Sequence, residues 1–244
     1  GARLGSGSGA PRWEAAMYDL RYLDLKDYSI TEILLGLDAP WRFGAWQSTA
    51  GGQWRYILRD GGAFQQVVTL KTGTSREWTG NRALHFGLRY DRIESIDNNY
   101  QFLDGRKLEA GASAAQPAGA GWMHYGVTYE RHNREDLVVG GEFFSYSPAR
   151  AALWLKGSWP LGARWRLEPS ARYRHSRYAD EDRRASGIVL TREDNEWQAG
   201  LQARYRLTIA WQLTGEYTYS SSRSNFDEYS YTRHQVSIGV MRPL

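Results

Sequence analysis

Arginine carries most of the chemistry in this sequence. Only four of the 31 cationic residues are lysine, and the arginines recur at alternate positions. Arg164, Arg166, Arg172 and Arg174 fall in one short stretch, Arg204 and Arg206 in a second, and Arg55 and Arg89 earlier; Glu216 takes the equivalent place in a later segment. A guanidinium presents a planar fork of donors that grips a carboxylate or phosphate through two parallel hydrogen bonds. Spaced two apart on an extended chain, such residues share one face. Two readings follow: a surface that holds anionic groups in passing, or one whose charges pair with Glu168, Glu216, Glu130 and Asp91 on neighbouring segments.

Covalent chemistry is a weaker candidate. The histidines are His85, His124, His132, His175 and His234. His175 beside Ser176, and Ser224 beside Asn225, supply the residue types of a nucleophile, a base and an orienting group, but not the spacing of a hydrolase motif. His132 with Glu130, or His234 with Asp227, lacks the spacing of a metal site. Without cysteine there is neither a disulfide nor a thiolate metal site. No catalytic residue, metal or cofactor is therefore expected.

The elements that carry these residues alternate. Between residues 163 and 244, Trp165, Leu167, Ala171 and Tyr173 oppose the arginines. Trp197, Leu201 and Tyr205 oppose Gln198, Gln202 and Arg204, and Leu213, Tyr217 and Tyr219 oppose Gln212, Glu216 and Thr218. Similar segments extend back to Trp13. Such a two-residue repeat over strands of roughly ten residues is the signature of a transmembrane β-barrel. A mean hydropathy of −0.62 does not oppose this, since only half of each barrel strand is apolar. The aromatics favour it: 11 Trp and 16 Tyr against 7 Phe fit membrane interfaces. Six arginines turned toward lipid would cost roughly 2–4 kcal/mol each near the midplane, so they belong inside.

The expected fold is all-β: an antiparallel up-and-down transmembrane barrel of about 14 strands, within a range of 12 to 16. Residues 1–12, rich in Gly and Ser, read as a flexible linker, and residues 13–244 as the barrel. Short connections are expected at 38–40, 60–62, 160–162 and 208–210, and longer loops at 73–80, 95–105, 116–121, 180–187 and 221–228. Residues 137–146 read as a strand and 107–115 as the least regular one. The net charge of +4 is spread along strand faces rather than gathered in one element, which argues against nucleic acid as a partner.

The last 55 residues carry a resemblance. The stretch from Thr191 through Trp197 to Leu207 resembles the penultimate hairpin of Gram-negative outer-membrane barrels. Tyr217-Thr218-Tyr219, Arg223-Ser224-Asn225 and Tyr229 through Val236 resemble the closing pattern of β-barrel porins of exopolysaccharide operons. Barrels of surface lipoprotein assembly modifiers close in a similar way. The resemblance implies the outer membrane, with its lipid and lipopolysaccharide as surroundings. It also implies a conduit that exports a polysaccharide, which the Arg-lined interior would suit if the polymer is anionic. The lumen-facing candidates for holding it are Arg55, Arg89, Arg164, Arg166, Arg172, Arg174, Arg204, Arg206 and Glu216. Two alternatives stay open: a barrel that assists assembly of surface lipoproteins or partner proteins, and a closed structural barrel that docks other envelope proteins.

Overall fold

The computed structural model describes residues 2–4, 10–21, 29–134, 136–183, 187–208 and 211–241. Its strands are β1 (Ala2–Leu4), β2 (Arg12–Leu20), β3 (Ile30–Phe43), β4 (Trp46–Arg59), β5 (Gly62–Trp78), β6 (Arg82–Ser95), β7 (Gly105–Ala118) and β8 (Gly121–Arg134). There follow β9 (Leu137–Val139), β10 (Glu142–Phe144), β11 (Pro148–Leu161), β12 (Trp165–Arg183), β13 (Val189–Arg206), β14 (Gln212–Ser224) and β15 (Tyr231–Met241). Each long strand pairs antiparallel with the next, and β8 passes to β11 because β9 and β10 form a small hairpin beside β12. Twelve strands have nine or more residues, at the lower end of the expected range.

The difference from 14 has two sources. Asp38, Ala39 and Pro40 do not end a strand; they lie within β3, opposite Gly51, Ala50 and Thr49. Pro40 is tolerated because β2 begins opposite Asp38, so this end of β3 pairs on one side only. The expected segment 41–48 therefore merges into the β3–β4 hairpin. The expected strand over 137–146 is two three-residue strands folded into a loop. Residues 73–78, expected in a loop, continue β5, and residues 107–115 form a full strand in β7. The expected loop at 116–121 is likewise mostly strand, with its turn at 119–120. The connection expected at 208–210 falls mostly outside the described residues, between β13 and β14.

The register puts one face of the sheet outside. Leu35, Trp54, Val68, Leu88, Ala110, Tyr129 and Leu153 lie on that face. So do Tyr173, Trp197, Leu201 and Tyr217. The burial is inverted relative to a water-soluble domain. Among the described residues the buried apolar side chains are Val67, Ile93, Ala152 and Phe226 alone, whereas Phe43, Val236 and Ile238 are each more than 70% exposed. Thr69, Asp91, His132 and Asp182 are buried. An apolar exterior around a polar interior requires a hydrocarbon solvent.

The two ends of the barrel differ. Turns at 44–45, 79–81, 119–120 and 162–164 share one end with the start of β2 and the finish of β15. The other end carries the longer connections at 96–104 and 225–230 and the β9–β10 hairpin, together with the tight turn at 60–61. Short turns mark the periplasmic side and longer loops the outside. Asp60 and Gly61, with φ of 48° and 77°, form the hairpin turn that twisted antiparallel strands prefer. Trp41, Phe43, Trp46, Trp159, Trp165 and Tyr205 ring the periplasmic boundary. Toward the outside the exterior face changes above Tyr173 and Trp197 to His175, Asn195 and the exposed Arg177–Glu193 ion pair, which marks the upper limit of lipid.

The ladder runs from β1 to β15, and among the described residues no pairing joins β15 to β1 or β2. β1 instead lies along the start of β2, Ala2 opposite Ala15 and Leu4 opposite Trp13.

Candidate lumen site

The inward face carries the expected arginines except Arg164, and four of the eight, Arg55, Arg89, Arg174 and Arg204, have a carboxylate partner. Arg89 donates to Asp91 at 2.8 Å, and Asp91 also accepts from the Thr69 hydroxyl at 2.6 Å. Arg174 meets Glu196 at 2.6 Å and Arg204 meets Glu168 at 2.7 Å. Arg55 stands 4.0 Å from Glu32. Glu130 collects Lys107 and Arg150, each at 3.8 Å, and His132 at 3.2 Å. Of the four carboxylates expected to neutralise the arginines, Glu168, Glu130 and Asp91 do so; Glu216 instead accepts from the Gln202 amide at 3.2 Å. Every such pair joins adjacent strands or positions two apart on one strand, the reach that a strand face allows.

Four of the expected residues behave differently. Arg164 is not a lumen residue: it lies in the periplasmic turn before β12, exposed, and donates to the Tyr205 hydroxyl on the outer face at 3.3 Å. Its neighbourhood holds its pKa above the ordinary arginine value, first through that hydrogen bond. Arg206 ends β13 opposite Gln212 at the same rim. Arg166, opposite Arg204, is exposed near the periplasmic mouth. Arg172 makes no ion pair among the described residues, and its Nε, like that of Arg174, is buried without a hydrogen-bond partner.

Arg172 sits in a compact block. Across β8, β11, β12 and β13 one lateral row reads Gly126, Trp154, Arg172, Gln198, and the next reads His124, Lys156, Ser170, Gly200. All of these but Gly126 line two adjoining cavities of about 510 and 360 Å³. A third, of about 420 Å³, adjoins the first through Glu109, Thr128 and Trp154. Gly73, Gly87 and Gly111 lie side by side at this third cavity, with the His85 ring over the first two and the Thr128 methyl over the third. Gly126 leaves room for Trp154: a Cβ there would come within 2.7 Å of the indole and of the Ala112 carbonyl oxygen.

Aromatic rings gather at the outer end of the barrel. Phe64 packs edge-on against Tyr100 at 4.9 Å, Tyr100 lies 6.1 Å from Phe102, and Phe102 lies 5.2 Å from Tyr146. Arg59 stacks on Tyr100 and Phe64 and donates to the Tyr100 hydroxyl at 2.6 Å. Across the mouth Arg192 lies over Tyr229 at 3.3 Å and over Tyr178 at 4.5 Å, held by Asp194 at 2.7 Å. Tyr100 and Phe102 belong to a 3-10 turn, Asn98–Leu103, whose start is capped by the Asp97 carboxylate accepting from the Asn99 amide. Burial of Tyr146 pushes its hydroxyl pKa up, with Tyr229 the next cause. These rings form an aromatic arch between the loops.

Sequence reasoning placed the arginines but missed Trp154 and Lys156 as site residues and the arch altogether. The alternation of Trp154 and Lys156 with Leu153 and Leu155 carried the signal for the first two. The catalytic candidates are not assembled. His175 faces outward onto Asn195 at 3.1 Å while Ser176 is buried inside. His234 contacts the Tyr217 hydroxyl at 2.8 Å. Among the described residues no three His, Asp or Glu side chains converge as metal ligands.

An apolar exterior, a polar lumen, short periplasmic turns and longer outer loops define an outer-membrane β-barrel protein. The family model described as "TonB dependent receptor-like, beta-barrel" matches residues 5–241, and the chain belongs to that family. No curated protein matches the sequence. Among solved structures it is similar to the loop L8 deletion mutant of OmpT, an outer membrane protein of Vibrio cholerae. That match has 12% identity and a TM-score of 0.55, and covers 98% of this chain and 76% of that one. It is also similar to the β domain of the Bordetella autotransporter BrkA, at 16% identity, 97% and 99% coverage and a TM-score of 0.35. The translocator domain of the autotransporter NalP from Neisseria meningitidis gives 14%, 99% and 84%, and 0.33. At these identities the first likeness speaks to fold alone.

Proposed function

We propose that the barrel is a passive conduit for a polar polymer, drawn in a closed state with the aromatic arch as its outer gate. The observation that carries this reading is the run of adjoining cavities along the middle of the lumen, lined by Arg172, Lys156, Gln198 and Ser170. Twelve strands lie between the small barrels whose side chains fill them and the 16-stranded porins that hold an open channel. A lumen with spaces but no sustained opening suits a gated path. Exported polysaccharide is the cargo we favour, on the closing pattern from Tyr217 to Val236 and on walls rich in amide and hydroxyl groups. No catalytic step is assigned.

Conductance across planar bilayers tests the conduit. The wild-type barrel is expected to stay mostly closed, and replacing Tyr100, Phe102 and Tyr146 together by Ala is expected to raise mean conductance at least tenfold. A silent triple variant that still folds would sink the conduit.

A second reading, a barrel that handles a partner chain, draws on one observation. The outer edge of β15 has no partner among the described residues, and Val236, Ile238 and Val240 on it are exposed. An unpaired strand edge invites strand addition. Cross-linking at Ile238 in whole cells separates the two: capture of β2 of the same chain supports a simple closed conduit, and capture of another protein supports partner handling.

A further inference from the structure

The walls of the cavity of about 510 Å³ are unlike one another in charge. On one side stand Arg172 and Lys156, neither in an ion pair, with His124 beside them. On the other stand Glu109 and Glu130, both already ion-paired, to Lys107 and to Lys107 and Arg150 respectively, with carboxylate oxygens that accept hydrogen bonds. The Trp154 indole lies between the two walls, and the Ser170 hydroxyl and Gln198 amide complete the lining. Most other lumen cations in the middle and outer thirds have a carboxylate within reach. Two cations that make no ion pair among the described residues and line one cavity therefore mark a place prepared for an anion from outside the chain.

Each wall specifies a part of the ligand. The Arg172–Lys156 wall takes a carboxylate, for which the guanidinium fork is shaped. The glutamate wall accepts hydrogen bonds and so takes hydroxyl donors. The indole takes a flat, weakly polar C–H surface. A cavity of this size lies within the roughly 300–1,000 Å³ range of small-molecule sites. It adjoins the cavity of about 420 Å³ beside Gly73, Gly87 and Gly111, which leaves room for a linked second unit. We propose that the lumen holds a binding site for an acidic saccharide, a uronate-bearing oligomer whose carboxylate sits at Arg172 and Lys156 and whose ring stacks on Trp154. This deepens the conduit reading and rests on it.

The site is tested by equilibrium binding to the detergent-folded full chain, independent of conductance. The probes are trigalacturonate, maltotriose as the neutral ring and inorganic phosphate as the bare anion. Trigalacturonate is expected to bind at least tenfold more tightly than either of the others. Arg172→Gln with Lys156→Gln should remove that preference, and Trp154→Ala should weaken both saccharides. Should the double variant fail to fold, Arg172→Lys is expected to weaken trigalacturonate severalfold and leave maltotriose unchanged. Equal binding of trigalacturonate and maltotriose by the wild type, or a preference that survives the double variant, would overturn the site. So would phosphate binding as tight as trigalacturonate and indifferent to Trp154. A barrel that conducts without binding trigalacturonate loses the site and keeps the conduit; one that binds without conducting keeps the site and loses the conduit.

Discussion

The outer third and the middle of the lumen are built from the same residue types to opposite ends. In the outer third several buried polar groups find each other, although Ser145 Oγ and Arg134 Nε do not. Asp182, 1% exposed, accepts from the Ser145 amide at 2.8 Å; Arg192 is sandwiched by two tyrosines; and Ser147 both donates to and accepts from the Arg134 backbone. In the middle, small residues leave space, and Arg172 and Lys156 face it without partners. Satisfied polar networks rigidify a region, whereas unsatisfied groups are retained only where something else satisfies them. The difference separates a structural closure from a place for a ligand.

The comparison breaks first if removing a polar group costs the same in both regions. Asp182→Ala strips a buried acceptor and leaves the Ser145 amide without it, a loss of about 2–4 kcal/mol of local stability. Lys156→Ala removes a cation with no partner and should change stability by no more than about 0.5 kcal/mol. Hydrogen exchange over residues 137–147 and urea unfolding in lipid vesicles measure the two. A closer pairing sharpens the point within β12 and β13. Glu196→Gln weakens a partly exposed ion pair with Arg174 and the hydrogen bond from the Tyr231 hydroxyl, and should cost about 1–2 kcal/mol. Arg172→Gln, one alternate position away, should be close to neutral. Equal costs at Glu196 and Arg172 would mean that Arg172 has a structural partner.

How much of this the sequence carried depends on which force placed the residue. The exterior was legible, because lipid imposes one rule on every second residue: Trp165, Tyr173, Trp197 and Leu201 announce their face by alternation alone. The lumen face was legible to the same degree, so Arg172, Arg174 and Arg204 were found. Their partners were only half legible. Pairing needs the register between strands, and Glu196 opposite Arg174 cannot be known until that register is fixed. Pro40 misled because a proline's cost depends on whether a strand lies beside it. Arg164 misled because alternation fails at a turn, where a long side chain reaches around to the outer face. The arch was illegible: Tyr100 and Phe102 come from one loop and Tyr146 from another, neither has a period, and only the folded barrel brings the two loops together.

The smallest expected effect asks whether the outer closure is indifferent to acidity. Asp136, in the loop before β9, accepts from the Tyr146 amide at 3.1 Å, next to a ring of the arch. Burial pushes its carboxyl pKa up, and the nearby Asp180 and Asp182 add to the rise against the lowering influence of that hydrogen bond. A carboxyl with a raised folded pKa binds its proton more tightly folded than unfolded. Its contribution is therefore fully present below the ordinary aspartate value of about 3.9 and is lost as pH rises through the folded value. At neutral pH the ionised Asp136 works against the hairpin that carries Tyr146. Acidification should therefore increase hydrogen-exchange protection of residues 137–147, by a modest factor because Asp136 is only partly enclosed. Asp136→Asn keeps an acceptor for the Tyr146 amide and removes the charge, so at neutral pH it should show the protection that the wild type reaches only in acid. Protection in the variant that still rises as pH falls would assign the dependence to Asp180 or Asp182. Protection in the wild type that falls with acid would mean that ionised carboxylates hold the outer closure together rather than strain it.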